Sequence, residues 1–365
     1  MLYSWVAVDL ELSLFHDTPP KLDTTSIFLP LPAGFFIGQN SQSMADSWKN
    51  DPKSMSPNEH RYRSLAELFQ TFMTGQLSLL QDIPTAYLLL LLHPLQAFSM
   101  RLHSCLDTLS SLQTSEARAN TTISLASMTF IDEYMALLAR WRELAKAVIA
   151  RSEQMRDRML ASSLALYYVM VLNGLTSFSE VERLTRLWSG IGFTSTQPSQ
   201  SWLRNTSLDG LVRVMTKCGQ CINALRTMPL TERPIWWAAA VYRVALILSQ
   251  SIISINATSA STAFHSAVSG ELTPPDTPYL LFLDQDIGTG AEDDDRRFRH
   301  FFGNVRVKPV LMDGDGGLVM LDSEVCVLDL CLNMLNQHVL LDRSDFACGI
   351  LDQLTELRSR WSQHI

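Results

Sequence analysis

Apolar positions recur along most of this chain at the spacing of helices. Tyr134, Leu137, Leu138, Trp141, Leu144 and Val148 share one helical face, which predicts an amphipathic helix lying against a core. Residues 160–172 and 235–253 are apolar nearly all round, the pattern of helices enclosed by others in a large bundle. Residues 1–14 read as the start of a helix. The pattern is helical again from Arg61 to about Met228, with Asn173-Gly174 as a stop. Between Phe15 and Pro57, Pro19, Pro20, Pro30, Pro32, Gly34, Gly38, Pro52 and Pro57 punctuate a turn-rich segment.

The character changes after residue 256. Ser, Thr, Gly, Pro and acidic residues dominate, and Thr273-Pro274-Pro275-Asp276-Thr277-Pro278 and Gly288-Thr289-Gly290 resist regular structure. We read residues 257–303 as an acidic, partly disordered insert with one apolar patch at residues 279–283. Residues 305–311 and 318–321 then flank Asp313-Gly314-Asp315-Gly316-Gly317, the pattern of a β-hairpin with a Gly-rich turn. Two helices close the chain. Phe346, Ile350, Leu354, Leu357 and Trp361 form the apolar stripe of the last one. No fixed-period repeat is present, so a regular solenoid is not expected. The expectation is an all-α fold, a large multi-helix bundle with a small β-hairpin near the C-terminus. Residues 1–256 form its helical domain, 257–303 the insert, and 304–365 pack on the same domain.

Composition narrows the function classes. The 365 residues carry a formal charge of −8, and no helical stretch has the basic stripe that phosphate contacts need. The dense basic run Arg296-Arg297-Phe298-Arg299 follows directly on Glu292-Asp293-Asp294-Asp295, which largely neutralises it. The acidic start, with Asp9 and Glu11, is not a signal peptide. Reduced thiols are then the simpler assumption for the six cysteines. Residues 87–92 are too few to span a bilayer and end at His93-Pro94. Residues 235–253 are long enough, but Arg243 sits near their middle, which favours a buried core helix over a membrane span.

Motifs that carry chemistry are few. Cys218-Gly219-Gln220-Cys221 has the spacing of a redox pair or half a zinc site, yet it lies inside a helical pattern and has no second ligand pair, so ordinary buried thiols are favoured. Cys326 and Cys331 read the same way. Asp313, Asp315 and Glu324 match calcium-loop offsets, but Gly317 and Leu318 occupy positions that need an oxygen ligand and a glycine. His16-Asp17 before Pro19-Pro20 has no companion nucleophile, and a turn in which polar side chains satisfy backbone groups is the favoured reading. No glycine-rich phosphate loop occurs. No catalytic or metal-ligating residue is expected. Thr273-Pro and Thr277-Pro are candidate proline-directed phosphorylation sites. Trp236, Trp237, Tyr242 and Arg243 form the most polarised cluster. A guanidinium beside an indole can stack on it, so these residues are read as core packing or as contacts to an effector or partner.

Two longer blocks carry a resemblance. Residues 5–20, WVAVDLELSLFHDTPP, and residues 233–243, RPIWWAAAVYR, resemble the helical regulatory, or middle homology, domain of fungal zinc-finger transcription factors. The nearest kind is the one attached to two-Cys-two-His fingers. Residues 72–77, 91–95, 164–168, 309–311 and 325–331 add to it in order along the chain. The resemblance implies an all-α regulatory domain in the nucleus, without catalytic residues, that modulates a DNA-binding module. Its partners would be the transcription machinery or another transcription factor, with room for a small-molecule effector and no membrane. It also implies control of RNA polymerase II transcription, as relatives often govern metabolic or secondary-metabolite gene clusters. Zinc belongs to members that retain fingers. No finger spacing exists here, and Met1 falls inside the family domain, so the expectation is a truncated or finger-less form with no cofactor, reaching DNA only through a missing or partner module. The alternatives are a helical small-molecule-binding protein or terpenoid-type enzyme, and a finger-less inhibitory dimer partner.

Overall fold

The computed structural model describes residues 2–23, 27, 31, 64–112, 120–151, 158–188, 202–203, 208–269, 279–284, 307–312, 317–340 and 344–363. The fold is all-α with one small sheet. It divides into two compact units, Met1–Tyr167 and Tyr168–Ile365.

In the first unit, helix α1 (Leu2–His16), the short helices α2 (Leu65–Met73) and α3 (Leu77–Leu80), and α4 (Thr85–Leu112) precede α5 (Asn120–Arg151) and the first part of α6 (Arg158–Leu175). Helices α1, α2 and α5 all pack on α4, because the run from Leu88 to Leu92 is apolar on every side and buried throughout. Ser64 starts α2 by accepting the Glu67 N–H on its hydroxyl at 3.2 Å, an N-cap that satisfies an otherwise free donor. The helix ends at Gly75, whose φ of 77° suits glycine. Arg140 on α5 donates to the carbonyls of Phe72 and Met73 at 3.2 and 2.9 Å. The block at residues 72–77 is therefore a helix end capped from another helix. Trp141 donates its indole N–H to the Leu88 carbonyl at 3.0 Å and stacks on Tyr167 at 5.0 Å.

In the second unit, α7 (Phe178–Trp188), α8 (Leu208–Thr227), α10 (Glu324–Val339) and α11 (Asp345–Ser362) surround α9 (Trp237–Ser269). Among the described residues, Trp237–Ala257 is the helical stretch long and apolar enough to cross a membrane, and 89% of its most apolar window is buried inside the protein. Its apolar surface is already used by the core. Helix α9 runs past residue 256, where the composition suggests that the insert begins, to Ser269. Ala257, Ala260, Ala263 and Ala267 explain this, since extending an existing helix through alanine is easy.

The sheet also exceeds the hairpin expected from sequence. Strands β2 (Val307–Met312) and β3 (Leu318–Met320) pair antiparallel, and β1 (Tyr279–Phe282) adds to β2 in parallel, Leu281 opposite Pro309. Leu283 prolongs the ladder by donating its N–H to the Val310 carbonyl at 3.0 Å. The residue it packs on is Gly219 of α8. A Cβ at Gly219 would lie 2.4–2.5 Å from the Cβ, carbonyl carbon and oxygen of Leu283. Arg226 of α8 holds the other end, donating to the Met312 carbonyl at 2.8 Å.

Candidate functional site

In the first unit, the two sequence blocks around Asp9 and His93 meet. Asp9 projects from α1 into the core, where its carboxylate accepts three hydrogen bonds: His93 Nε2 at 2.9 Å and the backbone N–H groups of Lys21 and Leu22 at 3.0 and 2.9 Å. Burial pushes the Asp9 carboxyl up, but the Leu22 and Lys21 amides and His93 outweigh it, and its pKa falls below the ordinary value. Burial dominates at His93 and lowers its pKa despite the carboxylate. The pair is thus a neutral imidazole donating Nε2–H to a carboxylate. Its Nδ1 is buried without a hydrogen-bond partner. One turn along, Gln96 donates to the Ser13 hydroxyl at 3.4 Å. Sequence reasoning missed this pair, although an acid in a largely apolar helix and a histidine ending a leucine run are both groups that need a partner if buried.

His16, Asp17, Pro19 and Pro20 form the exit from α1. Asp17 takes a φ of 51°, and Thr18 donates its N–H to the Ser13 carbonyl at 3.2 Å, the six-to-one bond of a Schellman helix end. The chain then turns through the prolines so that Lys21 and Leu22 reach Asp9. Residues 5–20 therefore encode a helix, its stop and the acid that fastens the backbone just beyond the prolines.

The second block sits at the entry to α9. Trp236 and Trp237 are buried, Trp237 fully. The Trp237 indole N–H donates to the Leu225 carbonyl at 3.0 Å, and the ring packs on His338 of α10 at 5.0 Å. Arg233 lies over that ring, its guanidinium carbon 4.0 Å from the centroid. Tyr242 donates to Glu182 at 3.3 Å and meets Phe178 edge-on. Burial, with Glu182 beside it, pushes the Tyr242 phenol up to about 12. Arg243 is only 3% exposed. It donates to Asn173 Oδ1 at 3.1 Å and stacks on Phe178 at 4.3 Å. The arginine in the middle of an apolar helix is thus held by a residue near the end of α6. The sequence does not mark Arg233, Asn173, Phe178, Glu182 or His338 as members of this cluster.

Cys218 and Cys221 are fully buried on α8, as is Cys331 on α10, and all are in the reduced, thiol form. Burial pushes each thiol up, Cys331 to about 12. Among the described residues, no group of three or more His, Cys, Asp or Glu side chains is placed to hold a metal ion. Thr273, Thr277, the runs Glu292-Asp293-Asp294-Asp295 and Arg296-Arg297-Phe298-Arg299, and Asp313 and Asp315 lie outside the described residues.

The architecture is that of packed helices with polar pairs buried between them. Its similarities lie with fungal proteins named as transcription factors. The chain is 27% identical over 371 residues to Transcription factor 1 of Elsinoe fawcettii, covering 97% of this chain and 35% of that protein. It is 28% identical over 375 residues to Transcription factor PfmaH of Pestalotiopsis fici, covering 99% of this chain and 35% of the relative. With Transcription factor opdJ of Penicillium oxalicum the identity is 24% over 407 residues, 99% of this chain and 45% of the relative. The chain thus spans between about a third and just under half of the length of these relatives. No family model matches the chain, and no solved structure matches it.

Proposed function

We propose that this chain is the helical regulatory part of a fungal transcription factor, acting in the nucleus on RNA polymerase II transcription through protein contacts rather than as an enzyme. The observation that carries the reading is the alignment of proteins named as transcription factors over 97–99% of its length. The charge of −8 agrees with a domain that does not grip DNA itself. On this reading, DNA and zinc come through a two-Cys-two-His finger module outside this sequence or on a partner. The targets are metabolic or secondary-metabolite genes, and phosphorylation at Thr273 or Thr277 adjusts the contact. The buried cluster of Trp236, Trp237, Tyr242 and Arg243 acts by fixing the start of α9, so that a signal received beside it moves the central helix of its unit.

The test tethers the full chain to a heterologous DNA-binding domain upstream of a reporter in a fungal cell. The reporter should rise or fall relative to the DNA-binding domain alone, and the tagged chain should accumulate in the nucleus. An unchanged reporter together with exclusion from the nucleus would sink the proposal. Phosphopeptide mapping that never finds Thr273 or Thr277 modified would remove the phosphorylation step alone.

A further inference from the structure

Helix α1 is apolar on both sides. Its inward face buries Tyr3, Val6, Ala7, Leu10 and Leu14, together with the polar Asp9 and Ser13. Its outward face shows Trp5, Val8 and Leu12, which are 63%, 39% and 51% exposed. The spacing of these three, i, i+3 and i+7, places them in one row. Half-buried Phe15 continues the row by three residues. A helix that met only water on this side would carry polar residues there. Single exposed apolar side chains are ordinary. Among the described residues, every other helix exposes at most one large apolar side chain, so the row on α1 is a patch and not scatter. The Asp9 bonds to His93, Lys21 and Leu22 hold the helix in place from behind.

Charge and size select what fits this row. Glu11 lies on the same side, three residues after Val8 and four before Phe15. Asp17 and Asp23 are exposed just beyond the helix end, where the helix dipole is also negative. The first Lys or Arg of the chain is Lys21. The row is therefore apolar with an acidic border. From Trp5 to Leu12 it runs about 10 Å, far less than the roughly 800 Å² a side that a stable dimer of folded chains buries. A second copy would also bring a charge of −8 against another −8. A single helix laid along α1 matches the length, and basic residues on it match the border.

We propose that the outward face of α1, formed by Trp5, Val8 and Leu12, docks an amphipathic helix of a partner protein. That helix carries apolar residues at the same spacing, with Lys or Arg beside them. The surface stands on the geometry of α1 and not on the transcriptional reading. The tethered reporter can respond while docking fails, and the reverse.

The experiment uses the full chain with a helical peptide that has Leu at i, i+3 and i+7 in repeat and Lys elsewhere, and a second peptide with Glu for Lys. The readouts are fluorescence anisotropy of the labelled peptide and the Trp5 indole N–H resonance, assigned by its loss in Trp5→Phe. The Lys peptide should bind saturably and shift the Trp5 resonance, while the Glu peptide should do neither. Trp5→Ala and Leu12→Ala should each weaken binding at least about tenfold, as for truncation of an interface anchor. Phe346→Ala, an exposed apolar change on α11, should leave binding unchanged. Melting temperatures check that the variants fold, and Leu12→Ala decides should Trp5→Ala not. No saturable binding, equal binding of the Glu peptide, or full binding by the α1 variants overturns the proposal. So does a concentration-dependent dimer in sedimentation that Trp5→Ala abolishes, which would give the face to a second copy.

Discussion

Asp9 and His93 lie 84 residues apart in sequence and 2.9 Å apart in space, and the same carboxylate holds Lys21 and Leu22 by their backbone. One side chain thus ties α1 to α4 and fastens the segment that leaves α1. Removing it uncouples three groups at once. Asp9→Ala should cost about 2–4 kcal/mol, because hydrogen bonds to a charged group are lost and His93 is left buried without its acceptor. Urea unfolding measures the loss. Amide exchange at Lys21 and Leu22 should rise by more than at Leu88 to Leu92. A uniform rise at all these amides would show that Asp9 does not act as a local fastener.

The same pair makes stability depend on pH in a stated direction. Unfolded His93 takes up a proton near its ordinary pKa of about 6.5, whereas the folded imidazole, kept neutral by burial, does so only at lower pH. In that window the unfolded chain binds more protons, so stability falls as pH falls, by up to about 1.4 kcal/mol per pH unit. Asp9 adds to the loss further down. Its folded pKa is lowered, so its contribution is present above the ordinary carboxylate value of about 3.9 and disappears as pH falls through the folded value. His93→Gln should flatten the dependence below about pH 6.5. Parallel wild-type and variant stabilities across that range would refute the assignment.

Much of the helical architecture is legible in the sequence because α5, α6 and α9 carry long, regular apolar patterns. Helix α1 is recognisable as a helix, but its buried face is not. Trp5, Val8 and Leu12 are exposed on the side opposite Val6, Leu10 and Leu14, so apolar spacing alone names no core face. The tail of α9 reads as insert because Ser and Thr composition suggests a loop, although alanines sustain the helix. Strand β1 is visible only as an apolar patch. Its parallel pairing with β2 is non-local and leaves no local signal. At the site, Trp236, Trp237, Tyr242 and Arg243 are conspicuous because aromatic and charged groups stand out in an apolar run. Arg233, Asn173 and His338 are not, since their roles exist only once α6, α9 and α10 have packed.

The glycine in the Cys-x-x-Cys segment explains itself by packing rather than chemistry. Gly219→Ala would drive a Cβ to within 2.4–2.5 Å of Leu283, including its backbone carbonyl, which cannot swing away as a flexible side chain would. The cost should be at least about 1–3 kcal/mol from overpacking. Gly349 in α11 provides the contrast, as nothing lies within 4 Å of its added Cβ. Gly349→Ala should stabilise by about 0.5–1 kcal/mol through helix propensity. Thermal melts of both variants check the pair of signs. A neutral Gly219→Ala would mean that β1 does not press on α8.

Thiol chemistry gives a residue-level test of the same region. Cys218, Cys221 and Cys331 are fully buried, whereas Cys326 and Cys348 are partly exposed. The thiolate is the reactive form, and burial raises the pKa of all three enclosed thiols. Iodoacetamide should therefore label Cys326 and Cys348 in the native protein. It should reach the enclosed three only as fast as the second unit opens, with rates that climb with added urea. The raised pKa values also set a sign at high pH. Above about pH 8.5 the unfolded thiols ionise while the folded ones do not, so the unfolded chain holds fewer protons and stability falls as pH rises. Peptide mapping after timed labelling separates the cysteines. Fast native labelling of Cys218 or Cys221 would contradict the packed arrangement and restore a redox role for the segment.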